Sequence, residues 1–241
     1  GQESRQRENG QHKAQNFRIT DEHLGEGSAK TKFGYNIAAI RTLKQIEAEG
    51  RQARPDEQEI LSRYVGWGGI SQAFDEENMQ WSEEYRQLKE LLTEKEYDAA
   101  RSSTLNAHYT SPTVIRAMYD AIEKMGFRTG NVLEPSCGVG NFFGMLPDDM
   151  SGSRLYGVEL DSITGRIARQ LYPDARITIS GFEKTQRRDF FDLAIGNVPF
   201  GGYKVSDKQF DKYNFLIHDY FFAKTLEQVR PGGVIAYITS K

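Results

Sequence analysis

The stretch that decides the fold is Val132-Leu133-Glu134-Pro135-Ser136-Cys137-Gly138-Val139-Gly140-Asn141-Phe142. Its apolar beginning is typical of a buried strand, and the glycines that follow are typical of a turn leading into a helix. In an open α/β sheet, ligands bind beyond the carboxyl ends of the strands, where glycines let a ligand approach the backbone. No Lys follows Gly140, so the phosphate-loop pattern is not met and ATP is disfavoured as the ligand. The stretch therefore predicts an α/β fold with a ligand site at Gly138 and Gly140.

Two further strands are predicted after the glycine turn. Residues 154–161 form an apolar run with an acidic end, about 20 residues after the glycines, where dinucleotide folds place a carboxylate that accepts hydrogen bonds from ribose. Glu159 is therefore the candidate ribose ligand, and an exposed acid at a strand end is the alternative. Ile177-Thr178-Ile179 predicts a third strand. The aromatic residue that follows it, Phe182, either lies against a cofactor adenine or belongs to the core.

The segment Ile195-Gly196-Asn197-Val198-Pro199-Phe200-Gly201 indicates the chemistry. The amino lone pair of adenine N6 is delocalised into the ring, so an enzyme must accept both N6 hydrogens to make this nitrogen nucleophilic. The Asn197 carboxamide oxygen and the Val198 backbone carbonyl suit that task. Phe200 suits stacking on a flipped base, because stacking contributes ~1–3 kcal/mol against a flipping cost of a few kcal/mol. The segment predicts methylation of an exocyclic amine on a nucleobase, and an ordinary turn after a buried strand is the alternative.

These motifs, in this order and spacing, resemble the S-adenosylmethionine-dependent adenine-N6 DNA methyltransferases of the gamma arrangement. The resemblance covers roughly residues 106 to 241. It implies a Rossmann-like class I methyltransferase core that transfers a methyl group directly from S-adenosylmethionine to adenine N6 in DNA, without a metal or a covalent intermediate. That fold normally has seven strands, the last two forming a hairpin, and we expect this chain to lack those two.

The same resemblance assigns a role to each site residue. It places Thr110 at the methionine carboxylate, Glu134 at the methionine amino group and Glu159 at the ribose. Leu160 and Phe182 would contact the two faces of the cofactor adenine. The remaining residues form the cofactor turn, Pro135, Ser136, Gly138 and Gly140, and the contact with the target base, Asn197, Val198, Pro199 and Phe200. The sequence departs from the pattern at Val198, which replaces a Pro, and at Gly181, where many relatives carry an Asp that bonds the cofactor.

Three longer strings resemble the methylase region of very large helicase–methylase proteins of conjugative elements and phages. They are Tyr64-Val65-Gly66-Trp67-Gly68-Gly69, residues 104–110 and residues 217–221. The resemblance implies that the chain is part of a larger polypeptide with a helicase region, and some relatives of this kind are associated with antirestriction. Two other functions stay open: a catalytically silent module that binds nucleic acid or proteins, and an enzyme that methylates RNA or a protein glutamine.

Composition narrows the class of protein. The chain is 38% hydrophobic and 27% charged, and no run approaches the ~20 apolar residues of a membrane span, so we expect a soluble cytoplasmic protein without a signal peptide. Its single cysteine, Cys137, lies inside the glycine motif, which argues against a disulfide framework and against cytosine C5 methylation through a thiolate. Four scattered histidines show no metal-ligand spacing, so no metal is predicted.

The charge balance predicts weak binding to DNA. The net charge is −3, whereas duplex binding draws much of its affinity from neutralisation of phosphates. Two pairs of basic residues flank residues 195–201, the proposed catalytic loop, and could contact phosphates. They are Arg187 with Arg188, and Lys204 with Lys208. A solvated face is the favoured interpretation of each pair.

Hydrophobic periodicity divides the chain into three parts. Residues 1–16 are polar and predicted to be disordered, residues 17–105 are predicted to be helical, and residues 106–241 form the methyltransferase core. Helices are predicted around Ile37–Ile46, from Pro55, around Tyr85–Leu92, and over residues 215–229. Another helix should be capped by Ser111 and begin at Pro112, with one apolar stripe. That stripe comprises Val114, Ile115, Met118, Ala121, Ile122 and Met125. A turn at residues 231–233 should lead into a fifth strand over residues 234–239.

Overall fold

The computed structural model describes residues 13–106 and 108–239. Eight α-helices lie in these ranges: α1 (Ala29–Ala48), α2 (Pro55–Ser62), α3 (Ser82–Leu91), α4 (Glu94–Ser103), α5 (Pro112–Lys124), α6 (Asn141–Gly144), α7 (Ser162–Leu171) and α8 (Ile217–Gln228). Five strands accompany them: β1 (Asn131–Glu134), β2 (Arg154–Glu159), β3 (Arg176–Ile179), β4 (Phe191–Asn197) and β5 (Val229–Ile238). The part of the chain described here contains no helix with the length and apolar character needed to cross a membrane.

The five strands form one parallel sheet in the order β3-β2-β1-β4-β5. This is the strand order of a Rossmann-like sheet, whose order reverses between the central strand β1 and its neighbour β4. The three central strands, β2, β1 and β4, are mostly buried, as expected for a parallel sheet covered on both faces, whereas the edge strands β3 and β5 are mostly half-buried or exposed. The predicted α/β fold, a Rossmann-like core preceded by a helical region, is therefore confirmed.

The helical region shares its core with one face of the sheet. A continuous apolar cluster joins Phe33, Ile40 and Trp67 of the helical region to Val132 and Leu193 of the sheet. Helices α1 and α2 pack against α7, which follows β2. Polar contacts reinforce the junction, since the Arg166 guanidinium on α7 contacts the Glu47 carboxylate on α1 at 2.6 Å. The helical region thus packs directly beside the carboxyl end of β2.

The opposite face of the sheet is covered mainly by α8. Tyr220 and Phe221 of this helix belong to a second apolar cluster with Leu133, Tyr156 and Ala194 of the strands. Side chains at neighbouring positions of a strand point to opposite faces, so Val132 and Leu133 belong to different clusters. The core therefore consists of three layers, with the sheet in the middle.

Several predicted elements need correction. In α5 the buried side is Pro112, Ile115, Tyr119 and Ile122, whereas the predicted stripe members Val114, Ala121 and Met125 are exposed. The Tyr119 side chain fixes this rotation, because its hydroxyl donates to the Phe142 carbonyl at 2.6 Å. Ser111 occupies the N-cap position but makes no capping hydrogen bond.

The other corrections concern the ends of predicted elements. Residues 231–233 lie inside β5, where the pairing register with β4 shifts at a bulge. Residues 1–12 of the predicted disordered tail lie outside the described residues. Within the rest of that tail, the Gln15 carbonyl accepts from Gln58 Nε2 at 2.9 Å, and Asn16 Oδ1 accepts from the Asp174 amide at 3.0 Å.

Candidate active site

The carboxyl ends of three neighbouring strands bring the predicted site residues together. Glu134 ends β1, Glu159 ends β2 and Asn197 ends β4, and β1 pairs with both other strands. Parallel strands end at the same edge, so the three polar side chains lie at one edge of the sheet, next to the point where the strand order reverses. Ligands bind at this place in Rossmann-like folds.

Hydrogen bonds to β2 hold the glycine turn after β1. The Cys137 amide donates to the Val158 carbonyl at 2.9 Å, and the Gly138 amide donates to Glu159 Oε2 at 2.8 Å. Both glycines have left-handed backbones, with φ of 57° at Gly138 and 91° at Gly140. Pro135 is buried and Ser136 half-buried at the start of the turn. The turn is thus held through its own backbone amides, one bonded to the backbone of β2 and the other to the Glu159 side chain.

The two glycines differ in their surroundings. A Cβ atom at Gly140 would lie 2.6 Å from the buried ring of Tyr172, so this position faces the core. A Cβ atom at Gly138 would have no atom of the described residues within 4 Å. Gly140 is therefore required for packing, whereas Gly138 borders open space at the edge of the sheet. Sequence alone does not separate these two uses of glycine.

Glu159 links the turn to the segment after β2. Its Oε1 accepts from the Asp161 amide at 3.0 Å, while its Oε2 accepts from Gly138. Each carboxylate oxygen can accept a further hydrogen bond. Burial raises the pKa of Glu159 to about 7, and the backbone amides oppose this rise. The carboxylate is therefore preorganised as a hydrogen-bond acceptor in a desolvated place.

Glu134 is a buried acid with an unsatisfied oxygen. The residue is 2% exposed, and its Oε2 has no hydrogen-bond partner among the described residues. Burial, together with the negative charge of Glu159, holds the pKa of Glu134 well above its usual range. Leaving such a group unpaired is costly, so the position suits a ligand that donates hydrogen bonds or carries positive charge.

The Asn197 carboxamide is held on one side and free on the other. Its Nδ2 donates to Thr110 Oγ1 at 3.2 Å, whereas its buried Oδ1 has no partner among the residues that the structure describes. The next residue, Val198, is buried and its amide donates to the Ile238 carbonyl at 3.1 Å. Pro199 is half-buried. The arrangement leaves a preorganised acceptor at the end of β4.

Phe200 already has an aromatic neighbour. Its ring and the His108 imidazole are stacked, with centroids 4.2 Å apart and planes 13° from parallel. Phe200 is half-buried, and His108 is exposed. The segment at residues 108–110 therefore contacts the end of β4 and the residues that follow it twice, through His108 and through Thr110.

The two residues assigned to the adenine faces lie in contrasting surroundings. Leu160 is 76% exposed just beyond β2 and is free to contact a ligand. Phe182 is only 3% exposed and belongs to the core, with its ring 4.9 Å from that of Phe221. The geometry favours the core alternative for Phe182, because its ring is enclosed by protein. Adenine contact stays a prediction for Leu160.

The helical region adds residues to this edge that sequence reasoning missed. Tyr64 of the helical region is buried, and its burial, together with the negative charge of Asp161 just after β2, raises the pKa of its phenol above the usual range. The loop that follows is held by Asn36, whose Nδ2 donates to the Gly66 carbonyl at 2.6 Å and whose Oδ1 accepts from the Val65 amide at 2.9 Å. The sequence signal for this contact was a polar residue, Asn36, at a position of the apolar stripe of α1, and the structure shows that it is fully buried.

The strand order and the glycine turn define a Rossmann-like domain with a cofactor site at the carboxyl edge of its sheet. No protein-family model matches the chain. Over 209 residues, 84% of its length, the chain is 28% identical to "Defense against restriction protein B" of Escherichia phage P1 and spans 8% of that protein. Over 79 residues it is 35% identical to the Type II methyltransferase M.CvrRI of Paramecium bursaria Chlorella virus XZ-6E, covering 32% of this chain and 21% of that protein.

Among solved structures, similarity extends to a protein of Listeria monocytogenes described provisionally as a class I S-adenosylmethionine-dependent methyltransferase. The two are 14% identical with a TM-score of 0.45, over 88% of this chain and 74% of that one. Both viral relatives are much longer than this chain, which spans less than a quarter of the length of either one.

Proposed function

We propose that this chain transfers a methyl group from S-adenosylmethionine to N6 of an adenine flipped out of DNA, as one part of a larger protein. The observation that carries the proposal is the Asn197 carboxamide, whose buried Oδ1 has no hydrogen-bond partner among the described residues, with Phe200 three residues later in the same segment. An exocyclic amino group would satisfy this acceptor, and an aromatic ring at the same place suits a base.

The residues at the carboxyl edge fit S-adenosylmethionine. Glu134 Oε2, which has no hydrogen-bond partner among the described residues, suits the methionine ammonium, and the Glu159 carboxylate suits the ribose hydroxyls. The space at Gly138, which none of the described atoms fills, admits the cofactor close to the backbone. Thr110 bonds Asn197 at the end of β4, and the exposed Leu160 follows Glu159 directly in the chain. S-adenosylmethionine, when bound, supplies a methyl group on a positively charged sulfur. The chain contributes orientation and electrostatics.

The residues after β4 would prepare the nucleophile. Asn197 Oδ1 accepts one N6 hydrogen, and the Val198 carbonyl accepts the other, so the nitrogen lone pair is directed away from the ring. Phe200 holds the base by stacking, which offsets part of the flipping cost. The buried, well-anchored Val198 limits movement of its carbonyl. Preorganised acceptors of this kind stabilise charge as it develops.

The names of the two viral relatives support a DNA substrate and an antirestriction setting. One is called a defence-against-restriction protein and the other a Type II methyltransferase. We therefore propose DNA as a partner of this chain. The remainder of a larger polypeptide, including a helicase region, is proposed from the resemblance of the sequence to helicase–methylase proteins and has no support in these names. The DNA substrate and the antirestriction setting are thus proposals for this chain, taken from the names of its relatives.

Replacing Glu159 by Ala should weaken S-adenosylmethionine binding by about 1.5–3 kcal/mol, the range for hydrogen bonds to charged groups. Affinity of the wild-type chain should also rise as pH rises through about 7, because the ionised carboxylate is the stronger acceptor. Isothermal titration calorimetry measures both effects, with Glu83→Ala on the exposed surface of α3 as the control. Unchanged affinity in a folded Glu159→Ala variant would remove this residue from the site.

The isolated chain should bind duplex DNA no better than roughly 10⁻⁴–10⁻⁶ M at physiological salt, the non-specific range. Three of the four basic residues near the catalytic loop have partners within the chain. Arg187 lies over the Phe190 ring at 4.0 Å, Arg188 is 3.7 Å from Glu227, and Lys204 donates to Asn214 at 2.5 Å. Fluorescence anisotropy over a salt series tests this, and nanomolar, sequence-selective binding would contradict it.

Methyl transfer itself decides between the proposal and its competitors. S-adenosylmethionine with a tritiated methyl group is offered together with DNA, RNA or protein, and the labelled product is digested to identify the modified group. Label in N6-methyladenine from DNA supports the proposal. Label found only in RNA or in glutamine would show that the substrate is RNA or protein and not DNA. Cofactor binding without transfer to any substrate, in a protein that includes the neighbouring regions, would favour a silent module.

A further inference from the structure

Three consecutive residues, His108, Tyr109 and Thr110, connect the helical region to the catalytic loop. His108 stacks on Phe200, and Thr110 accepts a hydrogen bond from Asn197. Tyr109, between them, packs against Gly25 so closely that a Cβ atom at Gly25 would overlap its ring. The three residues lie outside regular helix and strand. We call residues 108–110 the strap.

The stacking of His108 leaves one face of Phe200 for substrate. Two nearly parallel rings with centroids 4.2 Å apart are in contact. A base inserted between them would need roughly twice that separation. A target base bound to Phe200 would therefore lie on the face that His108 does not cover. The imidazole supports the ring from behind and fixes its plane.

Thr110 holds the Asn197 carboxamide in place at the end of β4. Its hydroxyl accepts from Asn197 Nδ2 at 3.2 Å, and the buried Oδ1 of the same carboxamide has no hydrogen-bond partner among the described residues. Without this bond the side chain would lose its one hydrogen bond within the described residues and would be free to move about its torsions. The Thr110 hydroxyl therefore fixes where the carboxamide stands relative to a base bound at this edge of the sheet.

We propose that His108 and Thr110 are positioning residues, His108 for the plane of Phe200 and Thr110 for the place of the Asn197 carboxamide. The proposal rests on the proposed function and adds to it, because the resemblance gives Thr110 a contact with the cofactor and gives His108 no role. Tyr109 anchors the strap against Gly25, so the helical region sets the geometry of the catalytic loop.

The Thr110 arm of the test separates positioning from cofactor binding. Thr110→Val removes the hydroxyl and should lower kcat at saturating cofactor by roughly 2- to 10-fold, the effect of losing one hydrogen bond. Thr110→Ser restores the hydroxyl and should restore kcat. Independently of activity, the Asn197 side-chain amide signal in the NMR spectrum should shift in Thr110→Val and return in Thr110→Ser. A change confined to the KM for cofactor, with the amide signal unmoved, would overturn the Thr110 role.

The His108 arm tests whether the imidazole supports the base or competes with it. His108→Ala should raise the KM for DNA by roughly 2- to 10-fold with cofactor affinity unchanged, because an aromatic pair is lost. His108→Phe keeps a stacking ring and should restore the KM. A lower KM for DNA in His108→Ala would show that the imidazole occupies the place of the base, which overturns the proposal. If the wild-type protein transfers no methyl group, the proposed function fails, and the Asn197 NMR signal still decides the positioning role of Thr110.

Discussion

Replacing Asn197 by Ala should lower the rate of methyl transfer by ~10²–10³, the usual cost of removing one preorganised polar contact to a transition state. The carboxamide oxygen is buried and has no partner among the described residues, so it is available to the amino group of a base. The hydrogen bond from N6 to this oxygen matters most as N6 becomes tetrahedral in the transition state. The substitution should therefore lower kcat more than it lowers the affinity for substrate. Single-turnover transfer of a tritiated methyl group to DNA measures the rate, and calorimetry measures cofactor affinity, which should be nearly unchanged.

A matched control is Asn78→Ala, which removes a carboxamide from the helical region, where Asn78 caps a short 3₁₀ turn over Met79–Trp81. That variant should retain the rate of the wild-type protein if it is folded. Wild-type turnover in Asn197→Ala, with cofactor affinity also unchanged, would show that the loop after β4 does not methylate an amine. The silent-module alternative would then take its place.

The sequence predicted the sheet and its edge correctly because both depend on local patterns. Apolar runs such as Leu155–Val158 have to be strands in a covered parallel sheet, and the glycines after β1 have to form a turn. The parallel arrangement then brings Glu134, Glu159 and Asn197 to the carboxyl edge of the sheet, whatever the packing of the surrounding side chains. Candidate residues at strand ends are consequently the part of a site that sequence predicts best.

Contacts between segments that are distant in the chain could not be predicted from the sequence. Nothing in the order of residues indicates that Tyr119 bonds the Phe142 carbonyl, and that contact turns α5 so that Val114 and Met125 face solvent. The position of Phe182 likewise depends on α8, which supplies Phe221 more than 30 residues later. Helix α4 is a different case, because its start is marked by a local pattern: Thr93 and Glu96 form a capping box.

The proposed catalytic loop, residues 195–201, shows the same limit of prediction from sequence most clearly. Its own residues were readable, whereas its support comes from the strap at residues 108–110, about 90 residues earlier in the chain. Long-range support of this kind leaves no periodic pattern. It follows from packing, and the packing of the strap in turn involves Gly25 of the helical region.

Gly140→Ala should destabilise the fold by about 2–5 kcal/mol. The left-handed backbone, with φ of 91°, disfavours any side chain by roughly 1–2 kcal/mol, and a methyl group forced into a packed core adds about 1–3 kcal/mol. The neighbour it meets, the Tyr172 ring, is 1% exposed and has little room to move. Urea unfolding of the variant and the wild-type chain measures the difference.

Gly138→Ala is the control that separates the fold from the cofactor. Its φ of 57° is also left-handed, so the backbone cost is similar, but its Cβ atom would meet no atom of the described residues within 4 Å. We therefore expect a loss of only about 1–2 kcal/mol in unfolding free energy, together with a clear loss of S-adenosylmethionine affinity, because the methyl group would enter the space proposed for the cofactor. Gly138→Ala with wild-type affinity would move the cofactor away from the turn. Equal destabilisation by the two variants would show that Tyr172 can yield, and that the strict requirement for glycine at position 140 comes from the backbone alone.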